Sequence, residues 1–148
     1  MWSELQSQND IDDFMKSIYD FHDSVLKELK YLSGAYVGKD LGMLPVNNQR
    51  VLRVIIQRQF WDPCAIEMEF IGLKYLKLVP IAETHTCEIL DATMLKKDGY
   101  IYWCDLGGLT ADDIEEHEGT LICAERVRWR PADEFIGPDE IYIASSNK

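Results

Sequence analysis

The chain has 148 residues, 47% of them hydrophobic and 28% charged, a balance that fits one folded domain over 1–148 and excludes a disordered chain. Its formal net charge of −11 sets the surface against nucleic acid and anionic lipid. No apolar run approaches the ~20 residues of a membrane helix, and Met1-Trp2-Ser3-Glu4-Leu5 lacks the basic segment and apolar stretch of a secretory signal, so a cytoplasmic location is expected.

In chain order, the first eight residues show no pattern and are expected to fray. A helix follows. Asn9 is placed to cap it, Asp10, Asp12 and Asp13 suit the positive end of its dipole, and Ile11, Phe14, Met15 and Ile18 share one face. Ser24 to Tyr36 admits two readings. Leu26, Leu29 and Leu32 form a helical stripe, while Tyr31-Leu32-Ser33-Gly34-Ala35-Tyr36-Val37 continues a strand; the continuation favours the strand. Gly38 to Gln49, with Gly42, Pro45, Asn47 and Asn48, reads as a loop.

From Arg50 the period is close to two. Arg50 to Phe60 is rich in β-branched residues and is followed by Trp61-Asp62-Pro63. Ile66, Met68 and Phe70 alternate with Glu67 and Glu69, and Gly72 marks a bulge or bend before Leu73 to Val79. Cys87 to Leu95 and Tyr100 to Asp105 flank Lys96-Lys97-Asp98-Gly99, a hairpin signal, because glycine supplies the positive φ such turns need. Thr110 to Gly119 reads as a short helix capped by Thr110, Leu121 to Arg130 as the last long strand, and Ile141 to Ala144 as a short edge strand. The fold class is therefore α+β: a mostly antiparallel meander, open to a sandwich or a half-barrel, with an N-terminal helix and a short acidic helix.

Few residues are suited to catalysis. Phe21-His22-Asp23-Ser24 invites a triad reading, yet neighbours along a strand point to opposite faces, so a structural role at a turn is expected. His85-Thr86-Cys87 offers two metal ligands, and zinc needs more. Cys64, Cys87, Cys104 and Cys123 form no CxxC pair and read as reduced thiols. No cofactor or metal motif is present.

Two charged constellations stand out. Asp105, Asp112, Asp113, Glu115, Glu116 and Glu118 occupy a stretch without Lys or Arg, which reads either as a solvated helix or as a docking surface for a basic protein partner. Arg126, Arg128 and Arg130 alternate with Val127 and Trp129 and so share one strand face. Their charges need cross-strand acids, for which Glu67 and Glu69 are the candidates; otherwise the stripe is open to an anion or a partner.

Phe21-His22-Asp23-Ser24, Ser33-Gly34-Ala35-Tyr36-Val37, Arg50-Val51-Leu52-Arg53-Val54 and Asp98-Gly99-Tyr100-Ile101-Tyr102-Trp103 carry a resemblance. With them the chain resembles a group of uncharacterised bacterial proteins, mainly from Gram-positive species, and no functional residue carries over. More loosely, the histidine–aspartate turn before a β-meander is similar to some immunity proteins of bacterial toxin systems. The expectation is a non-catalytic interaction protein, an immunity protein among the options. The alternative is a small-molecule binder or enzyme with a pocket lined by Trp103, Trp129, Tyr100 and Tyr102.

Overall fold

Alternation and helical spacing divide the chain much as expected over residues 1–144, which the computed structural model describes. The strands are β1 (Ser3–Glu4), β2 (Ser24–Leu32), β3 (Tyr36–Val37), β4 (Met43–Leu44), β5 (Val51–Arg58), β6 (Ala65–Lys77), β7 (Thr93–Lys97), β8 (Tyr100–Cys104) and β9 (Leu121–Pro131). The single α-helix among the described residues is α1 (Gln8–Ser17). Seven strands form one sheet in the order β2-β5-β6-β9-β8-β7, with β1 beside β9, and β3 and β4 make a separate ribbon. Every pairing is antiparallel. An isolated bridge between Ser24 and Ile89 brings the segment before β7 to the start of β2, so the sheet curls without closing.

The residues before α1 are held rather than frayed. β8 covers only the first half of one edge of β9, from Leu121 to Ala124. The second half is free, and Ser3 and Glu4 pair there with Trp129 and Arg128, while Leu5 is buried. The cap of α1 is Ser7, not Asn9. The Asp10 N–H donates to Ser7 Oγ at 3.1 Å, and the Asp10 carboxylate accepts from the Ser7 N–H at 3.1 Å, a capping box with aspartate in the glutamate position. Ile11, Phe14 and Met15 then face the sheet.

After α1 the backbone reverses through three consecutive left-handed residues, Tyr19 (φ 55°), Asp20 (φ 54°) and Phe21 (φ 64°), and Asp23 repeats the conformation at φ 57°. Each costs roughly 1–2 kcal/mol for a residue with a Cβ. Phe21 offsets the strain: its ring is wholly buried, edge-on to Phe14 at 5.9 Å and to Trp103 at 5.6 Å.

The main core lies between α1 and one face of the sheet, where Leu52, Val54 and Ile56 of β5, Met68 and Phe70 of β6, and Val127 of β9 converge. The opposite face carries the charged residues and a smaller core of Tyr102, Cys104, Leu121 and Cys123 roofed by Ile114. The bulge in β6 falls between Leu73 and Tyr75, just after Gly72 rather than at it; Gly72 has φ 68°, and a Cβ there would come within 2.8 Å of the Glu125 side chain. The hairpin between β7 and β8 turns through Asp98 (φ 53°) and Gly99 (φ 81°).

Three expected elements differ. Of the strand expected over Cys87 to Leu95, Cys87 to Ala92 contributes only the Ile89 bridge, and β7 begins at Thr93. Ile141 to Ala144 is not a strand: the Ile141 and Tyr142 N–H groups donate to the Glu28 carboxylate at 2.9 and 2.6 Å, so a side chain takes the place of a ladder. Thr110 to Gly119 forms only a 3-10 turn, Ile114–Glu116. There the Thr110 hydroxyl donates to the Asp113 carboxylate at 2.9 Å instead of capping backbone, and the surrounding acids have almost no cations to offset their repulsion.

Candidate functional site

The arginine stripe is the most ordered charged feature. The register puts Arg53, Glu69 and Arg128 directly across three strands, and Glu67 opposite Arg130. Glu69 lies 3.0 Å from the Arg53 guanidinium and 2.6 Å from that of Arg128. Arg130 meets Glu67 at 2.9 Å and Glu134 at 3.1 Å, and Arg126 forms a fork with Glu4 at 3.1 and 3.2 Å. Trp2 covers the ladder, its ring centre 4.4 Å from Arg128 Cζ and 5.6 Å from Arg130 Cζ. The Tyr142 hydroxyl donates to Glu67. Burial alone would lower the Arg130 pKa, but Glu134 and Glu67 outweigh it and hold the guanidinium more firmly protonated. This is the paired arrangement: all three guanidinium groups have carboxylates.

The acidic stretch is different. Glu115 pairs with Lys97 at 2.7 Å and Asp105 holds His117 at 2.6 Å. Asp112, Asp113, Glu116 and Glu118 are exposed and have no ion-pair partner among the described residues. They form a ledge along the turn above Ile114, which is buried beneath it.

The histidines are spoken for by structure. His22 Nδ1 lies 2.6 Å from the Leu90 carbonyl. Its Nε2 comes within 3.4 Å of Asp23, a contact that the expectation for a strand rules out and that the positive φ of Asp23 makes possible. The Ser24 hydroxyl is directed at the His22 carbonyl, not at an imidazole, so no nucleophile is activated there. His85 Nδ1 meets the Thr84 hydroxyl at 3.1 Å, and no three His, Cys, Asp or Glu side chains gather to hold a metal among the described residues.

The expected aromatic pocket is not assembled. Trp103 and Trp129 lie in the main core, Trp129 tilted on Phe14 at 4.8 Å. Tyr102 is buried in the smaller core, and Tyr100 sits beneath Lys74 Nζ at 4.3 Å. Residues one apart on β8 necessarily face opposite sides of the sheet, which separates Trp103 from its tyrosine neighbours.

What the sequence did not show is a ribbon: Tyr36-Val37, expected to continue the strand that ends at Leu32, pairs instead with Met43-Leu44 inside the expected loop. Tyr36 pairs with Leu44 and Val37 with Met43, joined by a turn in which the Gly38 N–H donates to the Gly42 carbonyl at 2.8 Å and Asp40 accepts from the Gly42 N–H at 2.9 Å. At its base, the Gln49 and Arg50 N–H groups both donate to the Ser33 carbonyl. The ribbon is thus fixed, yet both faces are apolar and wet: Tyr36 is 60% exposed, Met43 68% and Leu41, at the tip, 82%. Val37, Leu44 and Val46 are exposed as well. The signal available in the sequence was the pair of apolar dipeptides Tyr36-Val37 and Met43-Leu44 about Gly38-Lys39-Asp40-Leu41-Gly42.

No family model, curated protein or solved structure matches the chain.

Proposed function

We propose that this is a non-catalytic, cytoplasmic interaction protein that docks on a protein partner through the β3–β4 ribbon. The ribbon carries the reading. Two strands with no third strand beside them among the described residues gain little from their own apolar side chains, and a clustered apolar projection on an acidic composition marks an interaction surface. Burying a Leu or Met side chain is worth ~1.5–3 kcal/mol, and the turn hydrogen bonds already hold the backbone, which lowers the ordering cost of association.

The net charge of −11 and the unpaired acids of the ledge favour a basic partner. Action by stoichiometric binding also agrees with the resemblance to immunity proteins. The test is affinity capture from the source organism with mass spectrometry, comparing the natural chain with Leu41→Asp/Met43→Asp. The expected result is a partner recovered in stoichiometric amount with the first and lost with the second, with the melting temperature unchanged. Equal recovery by both chains would sink the proposal.

A further inference from the structure

The chain has six arginines, and five of them, Arg50, Arg53, Arg126, Arg128 and Arg130, lie 2.6–3.1 Å from a carboxylate. Arg58 is the exception among the described residues, and it is also the only buried one, at 5% exposure. Its guanidinium donates one N–H to the Pro63 carbonyl and lies over the Phe60 ring, with Cζ 5.3 Å from the centre. Nε–H has no acceptor among the described residues. Asp133 is near enough to favour the charge, but its carboxylate is committed to the Cys64 and Ala65 N–H groups at 2.9 and 3.4 Å. Burial accordingly pulls the Arg58 pKa down. A buried charge without a counterion costs several kcal/mol, so a fold that keeps one either tolerates the loss or uses it.

Beside it is a place for a counterion. A cavity of about 360 Å³ is lined by Arg58, Gln59, Phe60, Trp61, Cys64 and Ile136. No carboxylate is in that wall, whereas the cavity on the other flank of Arg58 includes Asp23 and Glu88. Trp61 is 83% exposed at the rim. Phe60 is backed by Tyr19, ring centres 5.0 Å apart, and Tyr19 stands at the first of the left-handed residues, so backbone strain is spent where the aromatic wall is built.

We propose that this cavity binds a small organic carboxylate, its charge on Arg58 and its apolar body against Phe60, Trp61 and Ile136. A carboxylate suits the planar donors that remain on the guanidinium. The volume is at the low end for ligand sites, which fits an acid carrying a single ring. This site is separate from the ribbon and does not depend on it.

The test titrates the full chain with benzoate, and with benzamide as the neutral analogue of the same shape, following tryptophan fluorescence and melting temperature. Saturable binding of benzoate, at least about tenfold tighter than that of benzamide, is expected. Arg58→Met should abolish it while leaving the melting temperature unchanged or raised, because an apolar residue of similar length removes the uncompensated charge. Trp61→Ala, at an exposed position, should fold normally and weaken benzoate several-fold; it decides the matter if Arg58→Met does not fold. Equal affinity for benzoate and benzamide, no saturation below ~10 mM, or full binding by either variant would overturn the proposal.

Discussion

Arg128 lies 2.6 Å from the carboxylate of Glu69, which is itself almost wholly buried, and the same carboxylate holds Arg53 at 3.0 Å. Glu69 is therefore the joint of the ladder rather than one end of a pair. Glu69→Gln leaves two guanidinium groups without a counterion on a covered face and should cost ~1.5–3 kcal/mol in urea unfolding, the range for hydrogen bonds to charged groups. Arg126→Gln, on the exposed side of the Glu4 fork, should leave the unfolding midpoint nearly unchanged. Equal losses in the two variants would show that burial of the carboxylate does not set the strength of the ladder.

Gly99 offers a clean measurement of backbone strain. Its φ is 81°, and a Cβ there would meet nothing within 4 Å. Gly99→Ala should therefore cost ~1–2 kcal/mol by conformation alone, and Gly99→Val more, since a β-branched residue resists positive φ further. An unchanged melting temperature in Gly99→Val would remove the basis for this turn.

The thiols should separate by exposure. Cys64, Cys104 and Cys123 are buried and Cys87 is exposed. Burial raises the pKa of all three covered thiols, which reduces their thiolate fraction further. A chromogenic disulfide reagent at pH 8 should titrate one thiol rapidly in the native chain and the other three only on unfolding. Rapid reaction of two or more native thiols would contradict the burial of Cys64 or the packing of Cys104 and Cys123 in the smaller core.

Acid should loosen the segment after β9 before it unfolds the sheet. Burial works to raise the Glu28 pKa, but the N–H groups of Tyr142 and Ile141, together with Lys27, outweigh it and hold the carboxyl below its ordinary value. A carboxylate depressed in the folded state contributes stability that is complete above the ordinary carboxylate range and is lost as pH falls through the folded value. Protection of the Ile141 and Tyr142 amides against hydrogen exchange, relative to an unstructured amide at the same pH, should thus fall as the pH drops below the ordinary carboxylate range in the natural chain and be lost already at pH 7 in Glu28→Gln. Exchange at those amides that is the same in both chains at pH 7 would mean that Glu28 does not hold the segment.

How much of this was legible depended on the range of the cause. The hairpin at Asp98-Gly99 is decided by the conformations its own residues tolerate, and the pairing of the arginine stripe by a strict period of two in both β6 and β9, so each could be read from the chain. Ser7 was legible in principle, since it stands three residues before Asp10, but Asn9 competes as a cap on composition alone. The strand at Ser3 has no local cause at all: it exists because β8 leaves half of β9 uncovered. Arg58 belongs to the same class. That it is the arginine left without a carboxylate follows from where five other arginines found theirs, a property of the whole sheet that no window of sequence contains.

The pairing of Ser3 with Trp129 has a consequence for the birth of the protein. Ser3 and Glu4 must wait for the last strand among the described residues. At ~5–20 residues per second the interval is roughly 6–25 s, during which β1 has no strand to pair with. Because β9 is also the shared neighbour of β6, β8 and β1, the β2-β5-β6 meander and the β7–β8 hairpin can pair before it but cannot join without it. The whole sheet is therefore completed only once β9 has emerged, and until then the unjoined strands rely on the acidity of the chain to stay in solution.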